Sequence, residues 1–340
     1  MRPIRRISMV RKSFVAAAAS AIAAAAQVRA ISAASPAIAQ TSSGLASLRN
    51  VNAGELNVAY ADVGPRDGKA VVLLHGWPYD IHAFEDVAPL LAARGCRVVV
   101  PYLRGYGPTR FLSSSAVRNG EQAAFAFDTI ALMDALKIER AIVGGFDWGS
   151  RTANIMAALW PQRCSAMVSV SGYLITNLAA NAKPLPPKAE LGWWYQYYFA
   201  TERGRTGYAE YRHDFNKLIW QIASPKWKFS DATYDRTAQA FDNPDHVDIV
   251  VHNYRWRLGL AKGEPKFASA EEKLQQSLVI AVPTVTIGSD FDGANIGGAA
   301  YRKLFSGPYA HRELTGIGHN VPQEDPQAFA QAILDAAKLS

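Results

Sequence analysis

Two cysteines in 340 residues, with no C-x-x-C pair and no Cys/His spacing of the zinc-ligand kind, exclude a disulfide scaffold and a thiol-built metal centre. Cys96 and Cys164 each open an apolar, strand-like run and read as small buried hydrophobes. Long apolar runs are also missing. The longest, Phe14–Ala26, has 13 residues and would rise about 20 Å as a helix, short of the roughly 30 Å hydrocarbon core of a bilayer. No internal repeat and no long low-complexity linker is present. Acid is absent from the first 54 residues, so the formal charge of +7 is a local matter. Residues 1–39 hold six of the bases; the other 301 residues carry 30 basic against 29 acidic side chains. A chain this close to neutral has no electrostatic footprint for a nucleic-acid backbone or an anionic membrane surface. With 49% hydrophobic and 19% charged residues, what remains has a core-forming composition.

Residues 1–39 read as an export signal, not as an anchor. A basic start is followed by the short Ala-rich run and then by Ala37-Ile38-Ala39, with small residues where a signal peptidase needs them. Arg11-Lys12-Ser13-Phe14-Val15 loosely resembles a twin-arginine signal, and Arg5-Arg6 is the alternative pair. The expectation is an exported, periplasmic protein whose mature form starts near Gln40. An organellar transit peptide is the competing reading.

Along the mature chain, continuous apolar runs alternate with helical spacing. Ala70–Leu74, Arg97–Val100, Ala141–Val143 and Cys164–Val170 are buried-type strands, and Leu56–Val63 alternates like a half-buried antiparallel one. Ile81–Arg94, Glu121–Leu136 and Ser150–Trp160 carry apolar residues at helical spacing. This pattern predicts an α/β fold, a mostly parallel sheet covered by helices. From 175 to 265 the texture changes to a Pro-rich start and an aromatic helical region holding five of the eight Trp. Strand character returns at Ser277–Ile287 and Ala310–Leu314, and Asp325–Lys338 closes as a helix. The expected organisation is a core over 40–174, a helical cap over 175–265 inserted after the sixth strand, and a second core part over 266–340.

The sharpest local signal is Gly145-Phe146-Asp147-Trp148-Gly149, directly after a buried strand and directly before a helix. Small residues in a G-x-x-x-G frame allow the strained strand-to-helix turn that exposes a nucleophile. An isolated Asp there would ordinarily be read as a helix cap. Here, however, the chain also has His75-Gly76-Trp77-Pro78 after an earlier strand, acids at Asp290 and Asp292 after a late one, and Gly318-His319-Asn320 after the last. The order nucleophile, acid, histidine is that of one hydrolase architecture.

On these motifs, together with Arg104-Gly105-Tyr106-Gly107, the chain resembles the α/β-hydrolase superfamily over 47–338, and within it the epoxide hydrolases and haloalkane dehalogenases that use an aspartate nucleophile. The resemblance implies the α/β-hydrolase fold, no cofactor, no metal, and a small apolar or aryl epoxide plus water as reactants. It implies Asp147 as nucleophile, His319 as general base, and Asp292, with Asp290 as the alternative, orienting the imidazole. The backbone N–H groups of Trp77 and Trp148 would form the oxyanion hole. Tyr195, in Trp194–Phe199, and Tyr254, in Asn253-Tyr254-Arg255, match the two tyrosines that protonate the ring oxygen. Tyr197 is a further substrate-binding candidate, and Tyr208, Tyr211 and Tyr234 read as packing residues. His75 reads as a structural turn residue. Phe146, Ser150 and Tyr102 depart from the family pattern where His, Gly and Asp are common. The acids and histidines between Asp242 and His252 read as a helix start and not as a metal site. A haloalkane dehalogenase with the same Asp/His/Asp set is the alternative within this chemistry, and a non-catalytic ligand-binding protein the alternative outside it.

Overall fold

The computed structural model describes Leu45, residues 47–290 and residues 298–339; the expected export segment and Asp292 lie outside the described residues. Among the described residues nine strands form one sheet: β1 (Leu48–Ala53), β2 (Leu56–Val63), β3 (Lys69–Leu74), β4 (Cys96–Pro101), β5 (Arg110–Phe111), β6 (Ala141–Gly145), β7 (Cys164–Val170), β8 (Thr284–Ser289) and β9 (Tyr309–Leu314). Their order is β1-β2-β4-β3-β6-β7-β8-β9, with the short β5 on β2. The pairs β1·β2 and β2·β4 are antiparallel, and all pairs from β4 to β9 are parallel. The central strands lack a polar alternation because both of their faces are covered. Consecutive residues of β6 make this concrete. A Cβ at Gly144 would lie 2.6 Å from Ile333, and one at Gly145 would lie 2.4 Å from the backbone of Gly149, on the opposite face.

The helices that close on these faces before the insertion are α1 (Val87–Ala92), α2 (Gln122–Ala135) and α3 (Trp148–Leu159). Between β7 and β8 every regular element is helical: α4 (Leu178–Asn181), α5 (Pro187–Gly192), α6 (Trp194–Ala200), α7 (Glu202–Ala223), α8 (Asp231–Ala238), α9 (His246–Arg257) and α10 (Ala268–Leu274). The insertion follows β7, the sixth strand of the main path once the off-path β5 is set aside. After β8 come α11 (Gly298–Tyr301), α12 (Val321–Glu324) and α13 (Pro326–Ala336). Contacts pair α1 with α13 and α2 with α3.

Two expected elements differ. The helical spacing over 81–94 is split into a 3-10 turn at Ile81–Phe84, capped by Asp80, and α1, which begins at Val87. The strand character over 277–287 condenses to β8, preceded only by an isolated bridge at Ile280. Two strands were not anticipated: the two-residue β5, too short to leave a pattern, and β1, which is exposed along most of its length, so it carries no apolar pattern and is held by its ladder to β2.

This topology positions a site. Chain order reverses between β3 and β6, because β3 continues to β4 on one side while β6 continues to β7 on the other. Crevices outside the carboxyl ends of strands form at such switch points. Leu74 and Gly145 are register partners, which sets the turns after β3 and β6 side by side.

Candidate active site

Asp147 sits on the turn out of β6 with φ 52° and ψ −125°. For a residue with a Cβ this is a strained conformation, of order 1–3 kcal/mol, and the two flanking glycines make room for it. A Cβ at Gly149 would lie 1.8 Å from the Leu74 carbonyl oxygen. Ser150, where glycine is common in the family pattern, donates its hydroxyl to the Gly145 carbonyl at 2.6 Å and ties the turn to its own strand. The Asp147 side chain does not cap α3. It points instead toward the turn after β3, where Trp77 N–H donates to Oδ1 at 2.8 Å. Gly76 is required there, since a Cβ would lie 2.3 Å from that same oxygen.

The neighbouring histidine of this turn is structural. His75 Nε2 accepts from Leu103 N–H at 3.2 Å and Nδ1 donates to the Gly76 carbonyl at 3.0 Å. Burial brings its pKa down to about 4, so the ring stays neutral. Trp77 is anchored at the other end by its indole N–H, which donates to Tyr208 Oη at 2.8 Å. Tyr208 also reaches Asn216 Oδ1 and His246 Nε2. Tyr208 is therefore more than a packing residue: it fixes the ring of Trp77.

His319 stands on the loop between β9 and α12. Its backbone N–H donates to the Ala223 carbonyl at 3.1 Å and to Ser224 Oγ at 3.0 Å, so the C-terminal end of α7 holds the loop. The imidazole Nε2 lies 3.3 Å from Asp147 Oδ2. Burial acts to raise the pKa of Asp147, but the hydrogen bond and charge of His319, the charge of Arg151 and the Trp148 N–H outweigh it. The net result is a carboxylate below its ordinary value, ionised at neutral pH and touched by both backbone N–H groups expected of an oxyanion hole. Trp148 N–H also lies in the first turn of α3, where the helix dipole favours negative charge.

Of the two candidate acids, only Asp290 is among the described residues, and its carboxylate is engaged elsewhere. It accepts from Lys226 Nζ and from Gly316 N–H, and the lysine holds it below the usual carboxylate range.

From the helical segment, α6 and α9 bring two tyrosines to this carboxylate. Tyr195 and Tyr254 lie with ring centroids 5.3 Å apart, edge to face, and each is within 5.3 Å of Trp77. Burial, then the charge of Asp147, push Tyr195 up to about 12, with a hydrogen bond to Tyr254 acting the other way. Tyr254 is pushed well above its ordinary value, by burial first and then by Tyr195 and Asp147. Both hydroxyls are therefore protonated at neutral pH and able to donate. Tyr197 is not brought into this group: it is 50% exposed and donates to Glu190. On α6 it follows Tyr195 by two residues, about 200° around the helix.

The acids and histidines from Asp242 to His252 have separate partners. Asp242 binds Arg212 and His213, Asp245 binds Arg118, and His246 bridges Gly105 and Tyr208. Two residues that the motifs did not flag also adjoin the site, Arg151 and Arg257. Their signal was spacing, four residues after Asp147 and three after Tyr254.

Residues 69–213 match the alpha/beta hydrolase fold family. A curated relative, Epoxide hydrolase B of Mycobacterium tuberculosis, is 34% identical over 160 residues, covering 43% of this chain and 44% of that protein. A haloalkane dehalogenase of Mycobacterium marinum is 34% identical over 125 residues, covering 36% of this chain and 40% of its own. These matches span less than half the length of each relative. A crystal structure of a "putative epoxide hydrolase" from Klebsiella pneumoniae is 56% identical with a TM-score of 0.85, covering 87% of this chain and 98% of that one.

Proposed function

Given that this chain belongs to the α/β-hydrolase family, in its epoxide hydrolase-like group, we propose that it opens an epoxide on an apolar or aryl body to a vicinal diol. The observation that carries this reading is the convergence of an ionised Asp147, backbone N–H groups, His319 and two protonated tyrosines on one point.

Asp147 attacks a ring carbon; the C–O bond breaks, and Tyr195 or Tyr254 gives its proton to the departing oxygen. The product is an alkyl ester of Asp147. His319 then takes a proton from water, whose oxygen adds to the ester carbonyl carbon while the N–H groups of Trp77 and Trp148 hold the oxyanion. Collapse expels the alkoxide, which takes the proton from His319. The regenerated Asp147 acid gives up its own proton, and this restores the tyrosine. The sum is epoxide plus water to diol. Asp292 serves in this scheme as the acid that orients His319, a role supported by the engagement of Asp290 with Lys226.

The helices between β7 and β8 act as a cap, a role supported by Tyr208 and Trp220, which bind the turn after β3 through Trp77 Nε1 and the Pro78 carbonyl. Residues 1–39 direct export; N-terminal sequencing of mature protein that begins near Gln40 would support it, and one retaining Arg11 would refute it.

Diol release from styrene oxide, lost in Asp147→Asn with the fold intact, tests the reaction. A second reading is favoured by one observation: the indole N–H of Trp148 is buried without a partner among the described residues. A halide leaving group would fill that position, and halide release from a haloalkane in place of diol formation would shift the assignment.

A further inference from the structure

Two arginines beside the reacting groups line one cavity, whose carboxylate, Glu190, is bonded to Tyr197 and pairs with neither of them. Arg151 lies one turn into α3, and its N–H bonds the Asp147 carbonyl at 3.1 Å. Arg257 ends α9, three residues after Tyr254, with its guanidinium carbon 5.7 Å from that ring's centroid. A helix returns to the same face every three to four residues. Each arginine is therefore one turn beyond a group placed at the epoxide, and both line a common cavity of about 340 Å³.

Neither is neutralised. Arg151 is 8% exposed, and its side chain makes a single hydrogen bond among the described residues, from Nε to the Leu174 carbonyl at 3.0 Å. Arg257 Nε is buried with no partner among those residues. No acid among the described residues forms an ion pair with either. The nearby carboxylates are committed elsewhere. Asp147 is held by Trp77 and His319, Glu271 accepts from Gln122 Nε2 and Ala123 N–H, and Glu190 pairs with Tyr197 at the rim. Lys183 adds a further positive charge to the lining. Burial first, then the charge of Arg257, bring Arg151 down to about 10. A buried Arg151 beside a partly buried Arg257, with no ion pair to either among the described residues, is costly, and a bound anion removes that cost.

We propose that Arg151 and Arg257 form a subsite for a carboxylate carried by the epoxide substrate, so that the substrate is an epoxy acid with an apolar or aryl body. The inference rests on the assignment of Asp147 as the ring-opening nucleophile. Two planar guanidinium forks suit a planar carboxylate. One helical turn, about 5 Å, separates the arginines from the reacting groups, which places the carboxylate within a few bonds of the ring.

The test compares kcat/KM for 3-phenylglycidate and for its neutral amide. The native enzyme is expected to prefer the acid at least tenfold, and Arg151→Gln and Arg257→Gln each to lower that ratio at least tenfold, with Arg257→Lys retaining part of it. Equal ratios in native enzyme and variants would overturn the subsite. Should Arg151→Gln fail to fold, Arg257→Gln at the half-exposed end of α9 carries the comparison. If neither epoxide is opened, the reaction assignment has failed, and the subsite is judged by itself. Calorimetry with 3-phenylpropionate, which has no ring to open, is then expected to show binding that Arg257→Gln weakens at least tenfold. No binding to the native protein, or equal binding to both, would refute it.

Discussion

The site has two walls that are built by different means. On the sheet side, Asp147, Trp77 and Trp148 are fixed by backbone: paired strand ends, a positive φ, and glycines at which any side chain would collide with a carbonyl or with the carboxylate itself. On the helical side, Tyr195, Tyr254 and Arg257 are fixed by packing. Phe199 stacks on Tyr254, Trp77 touches both tyrosine rings, and Tyr208 anchors Trp77. Backbone constraints tolerate almost no substitution, whereas packed side chains can be exchanged for others of similar volume. The sheet wall thus suits the proposed nucleophilic attack and oxyanion stabilisation, which need fixed atoms. The helical wall suits the proposed proton donation and the contacts to the body of the substrate.

Substitutions on the two walls should differ in kind. The largest effect is expected from Asp147→Asn, with diol formation falling by on the order of 10⁴-fold or more and the thermal midpoint little changed. Retained activity would remove the sheet wall from the chemistry. Gly76→Ala places a Cβ 2.3 Å from Asp147 Oδ1. Because this displaces the Trp77 N–H proposed as an oxyanion donor, the rate is expected to drop roughly 10²- to 10³-fold, in single-turnover ester hydrolysis as well as in ester formation.

Tyr254→Phe belongs to the other wall. It is expected to slow ester formation roughly 10²-fold and to leave hydrolysis of a preformed ester unchanged, as rapid-quench measurement of the two phases would reveal. Equal slowing of both phases would erase the distinction between the walls.

The smallest effect on turnover is expected from Glu271→Gln, on a residue outside both walls that binds the start of α2. Burial raises the Glu271 carboxyl from 4.5 to about 7. A raised value favours the protonated folded state, so this contribution is complete below the ordinary pKa and is lost as pH rises through about 7. Glu271→Gln should flatten the decline in unfolding free energy between pH 4.5 and 7 by at most about 3 kcal/mol, measured by urea denaturation across that range. An unchanged slope would show that Glu271 is ionised in the fold.

The same contrast explains what the sequence revealed. Gly145, Asp147 and Gly149 were legible because a turn that only glycine can flank leaves a fixed spacing in the chain. So was the sheet, whose central strands are apolar throughout. β1 was not, since it buries little and has no pattern to read. The side-chain placements expected at Tyr195 and Tyr254 came from the family resemblance, and helical spacing explains why Tyr197 does not join them. Tyr195 and Tyr197 differ by two residues and face apart, one toward Asp147 and the other toward Glu190. The contact of Tyr208 with Trp77 joins residues 131 positions apart, and no local pattern encodes it. Arg151 of α3 and Arg257 of α9 line one cavity although they are 106 positions apart. Of Asp290 and Asp292, only Asp290 is among the described residues, and its partner Lys226, on the loop after α7, is 64 positions away and encoded by no local pattern.

The most direct measurement is the intact mass of His319→Gln protein after exposure to an aryl epoxide. With the nucleophile present and the base removed, the ester on Asp147 should persist. The expected result is a stable adduct of the whole epoxide mass, absent when Asp147→Asn is added. An unmodified protein, or an adduct that survives Asp147→Asn, would contradict Asp147 as the attacking group.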